Sequence, residues 1–332
     1  MAGSVSSRAK ATFFPASVPS VSRPRRTGVT HVLDRLAALH DDEIDLLAPY
    51  VDVAKIGWGL PLLLPREAVR ARVRRYHDHG LEVSTGGTLL EYALTHDRAP
   101  QLLDEARELG FDLVEISSGI IELAPPQIER LAKAAKERSL DFFIEVGKKD
   151  AHYQLSLKET LTQIGHARTL GPRKVIIESR EYGRGVGIYD SDGAIKWDWV
   201  RSIVAEHPKE DLIFEAPMES QQVQLLMELG SDVNLGNVAP RSVLPLASQR
   251  LGLRGETLGT IRTGRSVEGP PAAKFLFFLL ETYRGLDQTQ LAQMSRLPRR
   301  TVQSALESLR QQGLVRESVS LYDSRRREYR LA

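Results

Sequence analysis

Between Gly28 and about Gly259 the chain alternates short apolar, β-branched runs with longer amphipathic ones. The short runs are GVTHVLD (28–34), VDVAKIGW (51–58), LEVSTGG (81–87), FDLVEIS (111–117), FFIEVG (142–147), KVIIES (174–179), LIFEAP (212–217) and DVNLGN (232–237). Each has strand length and is nearly continuous in apolar character, as strands covered on both faces are. Segments with helical spacing lie between them, such as PREAVRARVRRYHDHG after the second run, PQIERLAKAAKERS after the fourth and SQQVQLLMELG after the seventh. Eight strand-then-helix units in roughly 230 residues predict an α/β fold, a closed parallel (β/α)8 TIM barrel over residues 27–262, in preference to a doubly wound sheet. No glycine-rich dinucleotide fingerprint follows the first run, so a Rossmann reading has no support.

The pattern changes after the barrel. A polar, glycine- and proline-containing linker (263–271) precedes a small domain over 272–332. AKFLFFLLETYR (273–284) predicts a core helix, DQTQLAQMS (287–295) a short one, and RRTVQSALESLRQQG (299–313) a longer one begun after Pro298 and stopped by Gly313. LVRESVSLY and RRREYRLA flank an Asp323–Ser324 turn as a hairpin. Helix, helix-turn-helix and hairpin resemble a winged helix domain of the MarR-like kind, with Leu291, Val302, Leu306, Leu309 and Leu314 as core. Arg296, Arg299 and Arg300 fall at the start of the motif's second helix and Arg325, Arg326 and Arg327 on the wing, where phosphates and bases would be met. Duplex DNA, bound by a homo-oligomer with two-fold symmetry, is the expected partner of this part. A winged helix used only for dimerisation or as a rigid appendage is the alternative.

Charge sharpens this division. Residues 1–26 carry 5 Lys and Arg and no acid, residues 27–267 carry 29 against 36, and residues 268–332 carry 11 against 7, so basic ends flank an acidic body. Residues 1–26, rich in Ser, Ala, Pro and Arg, read as a disordered basic tail. An acid-poor start also fits an organellar transit peptide, but Pro15, Pro19 and Pro24 interrupt any amphipathic helix there. The absence of cysteine excludes disulfides, thiolate zinc sites and cysteine nucleophiles. The longest purely apolar run, Phe275 to Leu280, is far short of the roughly 18–20 residues that span a bilayer, so a soluble, cytoplasmic protein is expected.

The candidate chemistry centres on LDFFIEVGKKD (140–150), an apolar strand that ends in Glu145, Lys148 and Lys149. A carboxylate and two ammonium groups at one strand end are costly to desolvate unless they are paired or working, and a salt-bridged strand terminus would collect the same charges. Polar groups recur at the other predicted carboxyl ends, where barrel chemistry sits: Asp34, Lys55, Thr85 with Gly86 and Gly87, Glu115 with Ser117, Glu178 with Arg180, Glu215, and Asn234 with Asn237. Glu115, Glu145, Glu178 and Glu215 at four strand ends would repel unless a cation held them, whether Lys55, Lys149, Arg180 or a divalent metal. Oxygen-only ligands favour Mg2+ over zinc, and none of the eight histidines has metal-ligand spacing. Side-chain alternation puts Phe143, Gly147 and Lys149 on the side of Glu145 and Lys148 on the other, so Lys149 is the first choice for chemistry and Lys148 the second.

The runs VAKIGWG (53–59), GGTLLEYA (86–93), VEISSG (114–119), IEVGKK (144–149), ESREYGRGVGIYD (178–190), IFEAPMESQQ (213–222), VNLGN (233–237) and GLRGETLG (252–259) resemble, in order, those of the phosphosulfolactate synthase family. The resemblance implies a TIM barrel that adds sulfite to phosphoenolpyruvate with Mg2+, and it maps the family's proposed lysine acid onto Lys149. Both substrates are anions, which makes Lys55, Arg180, Arg184 and Arg254 candidate clamps. Backbone N–H groups at Gly86–Gly87 and Gly236–Asn237 would serve the phosphate, with Asn234 beside them. Glu115, Glu145, Glu178 and Glu215 form the pool of metal ligands. The chain departs from the family pattern at Arg35 and Glu219, where the family has lysine, and at Ser118 and Glu256, where it has aspartate. A regulator whose barrel senses a phosphorylated or sulfonated metabolite is the alternative function.

Overall fold

In a computed structural model of the chain, residues 25–35, 41–150, 153–180, 182–258, 267–283, 285–319 and 327–331 are described. The chain divides into two compact units, Met1–Ile261 and Arg262–Ala332.

The first unit is a closed barrel of eight parallel strands in sequential order: β1 (Thr30–Asp34), β2 (Val53–Ile56), β3 (Glu82–Thr85), β4 (Leu113–Ile116), β5 (Asp141–Val146), β6 (Lys174–Ile177), β7 (Leu212–Glu215) and β8 (Leu235–Val238). Alternation along each strand separates two cores. Residues such as Ala54, Ile56, Val114, Ile116, Phe142, Ile144, Val175 and Ile177 face outward into the helices. Val29, Val53, Leu113, Phe143, Ile176 and Ile213 form a second cluster that fills the barrel interior. Fully burying one such side chain contributes about 1.5–3 kcal/mol, so the plug closes the barrel and leaves chemistry only to the residues above it.

The helices follow from local signals. Arg66–Asp78 buries Val69, Val73 and Tyr76 on one face, and Pro125–Glu137 begins with proline where its missing N–H costs nothing. Ser156 caps Leu157–Thr169 by accepting from the Glu159 N–H, while the Glu159 carboxylate returns to the Ser156 N–H. After β6 the chain makes a long irregular loop before the helix Trp197–Glu206, tied by the Tyr189–Ile195 bridge and by Tyr189, whose hydroxyl donates to the Glu215 carbonyl at 2.7 Å.

The second unit runs helix Pro271–Thr282, β9 (Leu286–Asp287), helix Gln288–Ser295, helix Arg299–Gln311, β10 (Val315–Val319) and β11 (Arg327–Leu331). Its three strands form one antiparallel sheet in the order β10-β11-β9. Leu276, Leu280, Leu291, Val302, Leu306, Leu309, Leu314 and Tyr329 make its core. No helix among the described residues is long and apolar enough to cross a membrane.

Candidate active site

The carboxyl ends of the strands surround a small open pocket, lined by Leu33, Trp58, Thr88 and by charged and amide groups from β2, β5, β6, β7 and β8. Two ammonium groups organise the pocket. Lys55 Nζ lies 3.1 Å from Glu115, 3.3 Å from Glu215 and 3.8 Å from Glu145. Lys149 Nζ lies 3.1 Å from both Glu145 and Glu178, and donates to Thr88 Oγ1 at 3.2 Å.

Close backbone approach makes this packing feasible. At Gly87 a Cβ would stand 2.6 Å from Ser117 Cβ and 2.8 Å from a Glu145 oxygen, so only glycine lets the loop after β3 lie against Glu145; its N–H donates to Glu115 at 3.1 Å. At Gly119 a Cβ would stand 2.9 Å from the Lys149 stem, and the Gly119 carbonyl accepts from the Lys149 N–H.

The electrostatics divide the carboxyls into two kinds. Burial opposes the charge on Lys55 and Lys149, but Glu115, Glu215 and Glu145 around the first and Glu145 and Glu178 around the second outweigh it, so both ammonium groups are held above the usual lysine range. Burial likewise opposes ionisation of Glu145, but the two lysines beside it win and hold it well below the usual carboxylate range. Glu178 and Glu215 go the other way: burial pushes both up, helped by Glu145 as a like charge beside Glu178 and by Glu178 and Glu145 beside Glu215, which moves furthest. His31, fully buried behind Glu115 at 3.2 Å, is pushed down by burial and stays neutral.

Of the residues singled out from the sequence, Lys55, Gly86, Gly87, Glu145, Lys149, Glu178, Arg180, Glu215 and Asn237 line the pocket, with Glu115 buried directly beneath Lys55. Lys148, Asn234, Arg184 and Arg254 are elsewhere. Lys148 turns away and donates to the Ser118 carbonyl at 2.8 Å. Asn234 precedes β8 at the opposite end of the barrel, where its side chain accepts from Val29 N–H and donates to the Leu212 carbonyl; it is a structural stitch. Arg184 is exposed on the loop after β6. Arg254 faces Glu256 at 3.9 Å in a separate pocket that also holds Glu219, so neither it nor the Glu219 departure touches the first pocket.

Two buried polar residues that pack against the site escape the sequence reading. His31 sits inside β1 among apolar neighbours. Glu91, in the helix Gly87–Thr95, is buried and accepts from Ser117 Oγ at 2.6 Å and from the N–H groups of Gly119, Ile120 and Ile121. It thereby fixes the loop on which the Lys149 stem rests, with its own carboxylate 4.0 Å from Lys149 Nζ. The only trace of it in the sequence is one acid in the otherwise apolar stretch TLLEYAL.

Five buried carboxyl groups outnumber the two ammonium groups, and the crowding falls on Glu178 and Glu215, whose ionisation is opposed for want of a cation. Asn237 adds a buried side-chain oxygen with no partner among the described residues. These oxygen donors suit a hard divalent cation. Among the described residues no three acidic or histidine groups cluster as a ready-made cage. A magnesium-type ion needs none, since one or two carboxylates and the substrate's own oxygens normally hold it.

The family profile of (2R)-phospho-3-sulfolactate synthase matches residues 19–256. The chain belongs to the phosphosulfolactate synthase family. It is 36% identical over 247 residues to the phosphosulfolactate synthase of Methanothermobacter thermautotrophicus, covering 73% of this chain and 96% of that one. Identity is 36% over 238 residues to that of Methanocaldococcus jannaschii, covering 70% and 95%, and 31% over 243 residues to that of Bacillus subtilis, covering 71% and 94%. The pocket is therefore the candidate site of an enzyme of this type, and the family profile ends before the second unit begins.

Proposed function

We propose that the barrel adds sulfite, or a related nucleophile, to phosphoenolpyruvate with assistance from Mg2+. The observation that carries this reading is Lys149, whose ammonium group faces the pocket and is kept protonated by the carboxylates around it. The sulfur lone pair bonds to the methylene carbon, the C=C electron pair moves to the adjacent carbon and its carboxylate, and Lys149 gives that carbon a proton. No bond to phosphate breaks. Negative charge grows on the substrate carboxylate during the step, so cations already in place stabilise it without reorganising. Arg180, with the loop at Gly86, would hold the anionic ends, since the Gly87 N–H is already given to Glu115; Glu178, Glu215 and Asn237 would hold the metal, which would supply further stabilisation of that carboxylate. Loss of the enol absorbance of phosphoenolpyruvate, dependent on both sulfite and Mg2+, tests the reading; phosphate release does not, because the product keeps its phosphate.

Glu178 and Glu215 titrate above the usual carboxylate range, so protons compete with the metal there. Raised carboxyl pKa values mean that the free enzyme is stabilised by those protons at low pH and loses that contribution as pH rises through the folded values. The rise in thermal midpoint on adding Mg2+ is therefore expected to be larger at about pH 8 than at about pH 5. A shift independent of pH removes these two residues as holders.

We further propose that the second unit carries a MarR-like winged helix over residues 272–332 that meets duplex DNA as a dimer. The order of its elements supports this, as do Arg296, Arg299 and Arg300, all exposed ahead of or at the start of the helix Arg299–Gln311. Arg327 is less available, since Glu317 pairs with it and with Arg310, while Arg325 and Arg326 lie outside the described residues. Arg299→Ala with Arg300→Ala is expected to flatten the dependence of log affinity on log salt by about one unit for each phosphate that the variant no longer neutralises. An unchanged slope, or no DNA binding by the full chain at low salt, leaves the unit as an assembly element. In that case the regulator alternative loses its support.

A further inference from the structure

The charge at the pocket mouth differs from that below it. Lys55 and Lys149 are each engaged by more than one carboxylate. A polyanionic substrate therefore needs cations nearer the rim. Among the described residues two guanidinium groups in this region have no carboxylate partner: Arg180, which lines the pocket, and Arg35.

Arg35 is placed by β1. Leu33 lines the pocket, whereas Asp34 turns to the other side and accepts from Tyr76 Oη at 2.5 Å and Arg72 Nε at 2.9 Å. The period-two alternation of a strand returns Arg35 to the pocket side. Leu33 pairs in register with Lys55, so Arg35 stands one step above Lys55 toward the mouth. Its guanidinium carbon lies 4.3 Å from the ring centroid of Trp58, which also lines the pocket.

Trp58 is half exposed and has φ 58°, a left-handed backbone that is unusual and costly for a bulky side chain. Arg180 and Asn237 share this conformation, at φ 59° and 52°. Half of the six non-glycine residues with positive φ among those described thus line one pocket. Such strain persists where the surroundings enforce it, and at Trp58 it presents the ring face to a guanidinium.

We infer that Arg35, seated on Trp58, forms with Arg180 the anion-capture pair of the pocket and binds the phosphoryl group of the substrate. This inference rests on the proposed reaction for the identity of the substrate and on the geometry for the capture pair. Stacking on Trp58 holds the planar fork for bidentate contact with phosphate oxygens.

Calorimetric titration of the full chain with phosphoenolpyruvate and, separately, with inorganic phosphate tests it. Arg35→Ala is expected to weaken both ligands roughly 10- to 100-fold, the range for a charge-assisted hydrogen-bonded contact. Arg35→Lys should recover part of the loss, since it keeps the charge without the fork. Trp58→Ala should weaken both several-fold and add nothing in an Arg35→Ala background, because the ring acts through Arg35. Unchanged affinity in Arg35→Ala overturns the inference, and so does full additivity of the two substitutions. If the wild type binds inorganic phosphate but not phosphoenolpyruvate, the proposed reaction falls while the capture pair is still read on phosphate. Binding of neither ligand overturns both.

Discussion

Lys149→Ala is expected to lower kcat with phosphoenolpyruvate and sulfite by about 10²- to 10⁴-fold, the usual contribution of a positioned general acid. Affinity for phosphoenolpyruvate should change far less. The reason is that Lys149 acts on the carbon that becomes basic only during the reaction, so its loss is felt in the transition state more than in the ground state. Its ammonium group sits 3.1 Å from Glu145 and Glu178, and the Glu91-bound loop holds its stem. Single-turnover kinetics and equilibrium binding separate the two quantities. Equal losses of affinity in Lys149→Ala, Lys55→Ala and Arg180→Ala would reduce Lys149 to an anion clamp.

Lys55→Ala is expected to act first on stability. Sequence alone makes Lys55 an anion clamp, but its ammonium group is buried between Glu115, Glu215 and Glu145, and removing it leaves three carboxylates without their shared cation. Breaking a buried pair from one side costs about 3–5 kcal/mol. For a unit of this size that corresponds to a thermal midpoint lower by on the order of 10 °C. The deficit should shrink at about pH 5, where a proton neutralises Glu215 more readily, and be largest at about pH 8. Lys55→Met, which restores most of the volume and none of the charge, should behave like alanine if charge dominates. A methionine variant as stable as the wild type would show that packing, and not the cation, is what Lys55 supplies.

The barrel is legible because its strands are apolar on both faces, a signature that short amphipathic strands lack. Alternation also reaches into the site: Phe143 lies in the interior plug and Glu145 and Lys149 in the pocket above it, as the spacing of two requires. What fails is anything that depends on knowing where a strand begins. Asn234 looks like a strand-end group if β8 spans 232–237, whereas β8 starts at Leu235 and puts Asn234 at the opposite rim. Glu91 is hidden because its partners are backbone N–H groups of a loop 28 to 30 residues away, which no local pattern announces. Arg254 is a case of proximity in sequence to the family motif without proximity to the pocket. In the second unit the helices follow from caps and periodicity, since Asp287 accepts from the Gln290 N–H as its position predicts.

Running the reaction in deuterated water tests the central claim most directly. With phosphoenolpyruvate, sulfite and Mg2+, the product is expected to carry a single non-exchanging deuterium on the carbon that bears the phosphate ester, in one configuration, and Lys149→Ala should form almost none of it. A wild-type enzyme that consumes no phosphoenolpyruvate, or a Lys149→Ala variant that forms the same deuterated product at an undiminished rate, would contradict the account.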